Sequence, residues 1–209
     1  KNLVYQEFCD LLNTNVQKVK TLQQIPFLPI QFFKSHTVVS NNEAPQAIFT
    51  SSGTTGMTIS QHLVTDVSLY EESYRRGFSQ FYGNIENYVV LALLPSYLER
   101  EGSSLIYMVE DLIQLSNQPE SGFYLNNHDE LIEKLIELDS LGQNVILIGV
   151  TYALLDLIEK RKFQLQNTII METGGMKGKR KEMIREELHQ QLCAGFGVAS
   201  IHSEYGMTE

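Results

Sequence analysis

The chain has 209 residues, 43% of them hydrophobic, and is therefore long enough to bury a core of ordinary domain size. Its formal net charge of −9 argues against a nucleic-acid partner, because a surface with excess carboxylate repels the phosphate backbone. The two cysteines, Cys9 and Cys193, are too few for a disulfide framework and lack metal-site spacing. No apolar stretch reaches the roughly 18 residues of a transmembrane helix, and the first residues are too polar for a signal peptide. We therefore expect a cytoplasmic protein without a membrane span.

The first part of the chain differs in pattern from the rest. Apolar residues from Leu3 to Val19 recur at helical spacing, and Pro26 and Pro29 then interrupt the pattern. We expect a helical region and linker over residues 1–45 and an α/β subdomain over 46–209. The chain begins without Met and ends at Glu209 in a string typical of a loop, so we expect it to be one piece of a longer protein.

Beyond residue 46, predicted strands alternate with predicted helices. Short or continuous apolar runs predict strands over 47–50, 61–64, 88–94, 144–150, 168–171 and 197–202. Apolar residues repeating every three or four positions predict helices over 66–81, 103–114, 128–141, 151–160 and 179–193. This alternation indicates crossover connections between parallel strands. The predicted fold class is therefore α/β, with a layered, mostly parallel sheet flanked by helices.

Three loops rich in Gly, Ser or Thr follow predicted strands, at residues 51–60, 173–177 and 203–209. In open sheets of this class, ligands bind beyond the carboxyl ends of the strands. We therefore expect the three loops to meet at one edge of the sheet and to form a binding site there.

Two of these loops carry groups that suit a nucleotide. Residues 50–56 combine hydroxyls, two glycines and a run of backbone N–H groups, which match phosphate oxygens. The loop lacks the lysine of the P-loop pattern, and taken alone it is more often a flexible turn. The last loop offers a ring that can stack on a base, a glycine, a hydroxyl, and a carboxylate suited to Mg²⁺, in the string Tyr205-Gly206-Met207-Thr208-Glu209.

These motifs also resemble a known superfamily. The string FTSSGTTG at 49–56 resembles the phosphate-binding signature of the adenylate-forming enzymes, which include acyl-CoA synthetases and luciferases. The string YGMTE at 205–209 matches their second signature, and Thr173-Gly174-Gly175-Met176 falls where members carry a loop beside adenine. The runs IPFLPI, LPSYLEREGSSLIYM and ETGGMKGK most resemble the acyl-protein synthetases of bacterial luminescence fatty acid reductase systems.

The resemblance implies roles for individual residues. The ATP phosphates would be held by the first loop, Ser51, Ser52, Gly53, Thr54, Thr55 and Gly56. The adenine pocket would be lined by Gly174, Gly175 and Met176. Tyr205, beside Gly206, would stack on adenine; Thr208 would contact the phosphate of AMP, and Glu209 would bind Mg²⁺. Thr208 and Glu209 are accordingly the predicted catalytic residues.

The implied activity is the ATP-dependent, AMP-forming conversion of a carboxylic acid, expected to be fatty, into an acyl adenylate. The acyl group would pass to a thiol, either a protein cysteine or coenzyme A, and an acyl reductase is an expected partner. A phenylacetate-type acyl-CoA ligase and a non-catalytic nucleotide-binding domain stay open as alternatives.

Two departures from the family pattern bear on activity. Met57-Thr58-Ile59-Ser60 stands where members usually carry Pro-Lys-Gly, so one cationic phosphate contact is missing. The ribose-binding Asp and the catalytic Lys of the family's C-terminal domain would lie beyond Glu209. We therefore expect this chain alone to turn over weakly or not at all.

Overall fold

The computed structural model describes residues 2–41, 43–51, 59–95, 102–125, 127–176 and 178–206. These residues form two compact units. The first takes in the chain up to Ser73 and a short segment that ends at Ser104, and the second takes in the remaining residues from Tyr74 to Gly206.

The first unit combines short helices with a hairpin. Helix α1 (Leu3–Leu11) begins at Asn2, whose side chain accepts a hydrogen bond from the Tyr5 N–H at 2.9 Å and so caps the helix. Two 3₁₀ turns (Val16–Lys18 and Leu22–Gln24) and the short α2 (Phe32–Ser35) follow. Strands β1 (Ala47–Thr50) and β2 (Gln61–Val64) pair in antiparallel fashion.

The second unit is built on a five-stranded parallel sheet, whose strand order is β4-β3-β5-β6-β7. Its strands are β3 (Val89–Leu93), β4 (Gly122–Phe123), β5 (Val145–Gly149), β6 (Thr168–Glu172) and β7 (His202–Ser203). The helices are α3 (Val67–Tyr82), which starts in the first unit, α4 (Ser104–Ser116), α5 (His128–Ser140), α6 (Thr151–Lys160) and α7 (Arg185–Phe196), with a 3₁₀ turn at Ile85–Asn87. The predicted α/β fold class is confirmed.

Helices cover both faces of this sheet. Strands β3 and β5 are buried at every position. Val90, Ile146 and Ile148 share one face with side chains from α3 and α4. On the opposite face α6 approaches so closely that a Cβ added to Gly149 would lie 2.7 Å from the Leu154 side chain.

Strand β4 was not predicted from the sequence, and three predicted features differ from the structure in detail. Strand β1 pairs only with β2 and is not part of the parallel sheet, so the expectation that three loops share one sheet edge is wrong for the loop after β1. Helix α7 starts at Arg185, not 179, because Arg180 binds Asp156 and Glu159 on α6 instead of forming a first turn. Strand β7 has two residues rather than six, because only His202 and Ser203 pair with β6, and residues 198–201 connect it to the end of α7 at Gly197.

Among the helices of the described ranges, none is both long enough and apolar enough to cross a bilayer.

A single carboxylate ties the last turn of α5 to the start of β6. Asp139 accepts hydrogen bonds from the backbone N–H groups of Gln166 and Asn167, at 3.0 and 2.8 Å, and from the Thr168 hydroxyl at 3.0 Å. These bonds satisfy two backbone N–H donors just before β6 and the hydroxyl of its first residue, and they hold the end of α5 against the start of that strand.

We expect Asp139→Ala to lower the free energy of unfolding by about 1–3 kcal/mol, because it leaves several part-buried donors without an acceptor. Urea denaturation of the two proteins measures this difference. The control is Asp129→Ala, which removes an exposed ion pair with Lys160 and should cost only about 0–1 kcal/mol. Equal losses in both variants would contradict the role given to Asp139.

Candidate functional site

Two of the loops predicted to bind a ligand follow neighbouring strands. Strands β6 and β7 are adjacent and parallel, with Met171 opposite His202 and Glu172 opposite Ser203. Their carboxyl ends therefore lie at the same edge, where one strand leads into residues 173–176 and the other into residues 204–206. The backbone joins them, since the Glu204 N–H donates to the Glu172 carbonyl at 2.9 Å.

The third predicted loop begins in the first unit. Ser51 is buried, and its hydroxyl accepts a hydrogen bond from the Ser60 N–H at 3.2 Å, which closes the base of the loop. The predicted phosphate-binding residues Ser52, Gly53, Thr54, Thr55 and Gly56 lie outside the described residues. Their roles stay predictions.

Glu172, the last residue of β6, connects several segments at the carboxyl edge of the parallel sheet in the second unit. Its side chain is only 8% exposed. One carboxylate oxygen accepts hydrogen bonds from the Gly174 N–H at 2.7 Å and the Thr151 hydroxyl at 3.2 Å. The other accepts from the Ser203 hydroxyl at 2.6 Å and lies 3.6 Å from His189 Nε2. The start of α6, the loop after β6 and the end of β7 are thus joined by a single side chain.

Sequence reasoning missed Glu172. Its signal was a carboxylate at the last position of an otherwise apolar strand, directly before a Thr-Gly-Gly string. A buried charge there requires hydrogen-bond donors, but the sequence does not reveal which residues supply them.

The loop after β6 turns through two glycines in the left-handed region. Gly174 has φ of 78° and Gly175 has φ of 84°, values that residues with a side chain rarely adopt. No described atom lies within 4 Å of the position where a Cβ would be on Gly174, so the backbone is open on that side. Met176 is 2% exposed, and its side chain is buried in the protein interior.

The segment after β7 presents an aromatic ring. Tyr205 is 83% exposed, and Gly206 next to it is also exposed. Thr208 and Glu209, the predicted catalytic residues, lie outside the described residues, and their roles stay predictions. The residues at this edge that the structure does describe can offer a stacking surface and, at Gly175 and Gly206, exposed backbone to a ligand.

Two further groups at this edge have perturbed acidity. Burial, reinforced by the negative charge of Glu172, raises the pKa of Glu204. Burial also raises the pKa of Tyr82, whose hydroxyl lies 2.8 Å from Nδ1 of His202. His202 therefore has a partner within the protein, which is an ordinary structural explanation for its position at the end of the sheet.

The described residues contain no group of three or more His, Cys, Asp or Glu side chains that could hold a metal ion. The predicted Mg²⁺ ligand, Glu209, is not among the residues covered by that finding.

We expect Glu172→Gln to lower the free energy of unfolding by about 1–3 kcal/mol, because an amide has one acceptor oxygen where the carboxylate has two. The Gly174 amide should also exchange its hydrogen faster, since it loses its acceptor or shares it with a second donor. Urea unfolding and hydrogen exchange measure the two effects. Glu110→Gln, at an exposed position of α4, is the matched control and should change neither quantity.

Glu204→Gln should be stabilising at neutral pH. Because the pKa of Glu204 is raised above its ordinary value of 4.5, the native state holds this proton more tightly than the unfolded state does. The wild type therefore loses stability as the pH rises from 4.5 through the native-state pKa, and the glutamine variant is spared that loss. Unfolding midpoints at about pH 4 and about pH 8 should show the variant's advantage only at the higher pH. An advantage of the same size at both pH values would refute the assignment.

The chain was compared with models of known protein families, with curated proteins and with solved structures. None of the three comparisons found a match. The function of this protein is therefore inferred from the residues at the carboxyl edge of its parallel sheet and from the motifs of its sequence.

Proposed function

We propose that this chain provides the nucleotide-binding part of an enzyme that uses ATP to convert a carboxylic acid into an acyl adenylate, with release of pyrophosphate. The observation that carries the proposal is the pairing of β6 with β7. Through it, the Thr-Gly-Gly-Met segment and the start of the Tyr-Gly-Met-Thr-Glu segment follow two neighbouring strands at one sheet edge.

The residues at this edge fit an adenine nucleotide. An added Cβ on Gly174 would meet no atom within 4 Å beyond its chain neighbours, and Gly175 is exposed, so a flat base can approach the backbone closely. The exposed ring of Tyr205 offers a surface on which adenine can stack. The hydrogen bonds of Glu172 fix the loop that carries the glycines, which lowers the entropy cost of binding.

The proposed reaction requires little proton transfer by the protein. A carboxylic acid is already ionised at neutral pH, so its oxygen can attack the α-phosphorus of ATP without a general base. The new bond joins the acid oxygen to phosphorus, and the bond between the α-phosphorus and the oxygen bridging to the β-phosphate breaks. The protein positions the reactants and stabilises charge. Bound Mg²⁺ would neutralise charge on the phosphates, with Glu209 as its predicted ligand.

A thiol is the proposed acceptor of the acyl group. Its sulfur attacks the carbonyl carbon of the acyl adenylate, and AMP leaves. The thiol belongs either to a protein cysteine, which would pass the acyl group to an acyl reductase, or to coenzyme A. Both kinds of free thiol and ATP are available in the cytoplasm, which agrees with the location expected from the sequence.

The test is ATP–pyrophosphate exchange by the intact protein with a panel of carboxylic acids. Exchange should require an acid, and Thr208→Ala and Glu209→Gln should each abolish it. Tyr205→Ala should raise the KM for ATP about tenfold through loss of base stacking, with a smaller change in kcat. Phe27→Ala, which removes another exposed ring, is the control and should behave as wild type.

Absence of exchange with every acid would overturn the proposed activity. ATP binding that persists without exchange would instead support the alternative of a non-catalytic nucleotide-binding domain. Full activity of both Thr208→Ala and Glu209→Gln would refute the roles given to these two residues.

A further inference from the structure

The carboxylate of Glu172 has room for one more hydrogen-bond donor. An ionised carboxylate offers about four lone-pair sites, shared equally between its two oxygens. Oε2 accepts from the Gly174 N–H and from the Thr151 hydroxyl, so both of its sites are used. Among the described residues, the Ser203 hydroxyl supplies the one hydrogen bond to Oε1. A second donor to Oε1 would complete the set.

Helix α7 places His189 next to this oxygen. His189 Nε2 lies 3.6 Å from Glu172 Oε1, which is slightly too long for a hydrogen bond. The nitrogen atom is buried, although the side chain as a whole is 25% exposed, and no described residue forms a hydrogen bond with it. A shift of roughly 0.5 Å would bring the two atoms within hydrogen-bond distance.

The chemistry of this pair decides which nitrogen of the ring carries a proton. A neutral imidazole has one N–H donor and one nitrogen with a lone pair. If Nε2 held the lone pair, two acceptors would face each other in a buried place, where their repulsion is weakly screened. With the proton on Nε2, the ring supplies the missing donor to Glu172. The same holds when the ring is charged, because both nitrogens then donate.

The orientation of the Glu172 carboxylate affects both segments of the proposed nucleotide site. It binds Gly174 in the loop after β6, and Ser203, which lies two residues before Tyr205. The terminal torsion of a glutamate side chain is broad, so hydrogen bonds, and not the rotamer, fix the plane of the carboxylate. A donor from α7 therefore limits its rotation and keeps the acceptor of the Gly174 N–H in place.

We propose that His189 is a positioning residue of the nucleotide site. It carries a proton on Nε2 and, through Glu172, holds the loop after β6 in the conformation that receives adenine. It acts through Glu172 and not by touching the nucleotide. That the loop receives adenine rests on the proposed function, whereas the pairing of His189 with Glu172 does not.

The first experiment locates the proton, without ATP and on the intact protein. NMR correlations between the ring nitrogens and the ring carbon-bound protons distinguish the two tautomers, and the spectrum of His189→Gln assigns the signals. The expected result at neutral pH is a proton on Nε2. A ring that is protonated on Nδ1 alone would overturn the proposal.

The second experiment measures amide hydrogen exchange in the wild type, His189→Leu, His189→Gln and the control Gln190→Leu, which adds the same side chain at an exposed position of α7. His189→Leu removes the donor, so the Gly174 amide should exchange about tenfold faster. His189→Gln offers an amide N–H in place of Nε2–H and should restore most of the protection. The control should match the wild type.

An amide in the middle of β5, that of Leu147, reports on global stability in the same samples. Its exchange should change far less than that of Gly174 in His189→Leu, because the expected effect is local. Equal acceleration at the two amides would overturn the proposal. So would a glutamine variant that behaves like the leucine variant, since the ring and not its N–H would then be what matters.

The third experiment, ATP–pyrophosphate exchange, tests the link to activity. His189→Leu should raise the KM for ATP about fivefold with little change in kcat, while His189→Gln and Gln190→Leu should stay within about twofold of the wild type. If Gly174 responds as expected but no acid supports exchange in the wild type, the link from His189 to the loop stands and the proposed function fails. If the wild type is active and His189→Leu leaves the KM unchanged, the proposed function stands and this proposal is overturned.

Discussion

The rest of the second unit depends on the complete burial of its two central strands. β3 and β5 are apolar and buried at every position, and Leu91 and Leu147 are fully inaccessible to solvent. Each such side chain contributes about 1.5–3 kcal/mol on burial, so neither face of the sheet can be left open to water. Helices must therefore cover both faces, which is the arrangement that parallel crossover connections produce. All carboxyl ends then point to one edge, where loops are free to vary.

Glu172 connects this apolar framework to the edge that we propose as the site. A buried carboxylate is costly unless its oxygens accept hydrogen bonds, and here three donors from separate parts of the chain supply them. Gly174 in the loop after β6 and Ser203 at the end of β7 are consequently held by a side chain that is itself fixed at the end of a sheet strand. A site that must orient a ligand needs such support from the sheet.

Glycines of the second unit serve two different physical purposes. Gly174 and Gly175 provide left-handed backbone in the loop after β6. Gly149 and Gly195 allow close packing, since an added Cβ would lie within 2.7 Å of a Leu154 or Ile158 side-chain atom. Of these glycines, only Gly174 and Gly175 belong to a string that the sequence predicts to bind a nucleotide.

The sequence by itself determined the parallel α/β class and the position of its main elements, because β3, β5 and α6 carry long, unambiguous apolar patterns. It also predicted which strings would bind a nucleotide, and those assignments stay predictions. Only the tertiary structure decided that β1 pairs outside the parallel sheet, since a four-residue apolar run does not specify its partner. The donors to Glu172 were likewise decided by tertiary structure, because their hydrogen bonds join residues that are far apart in the chain.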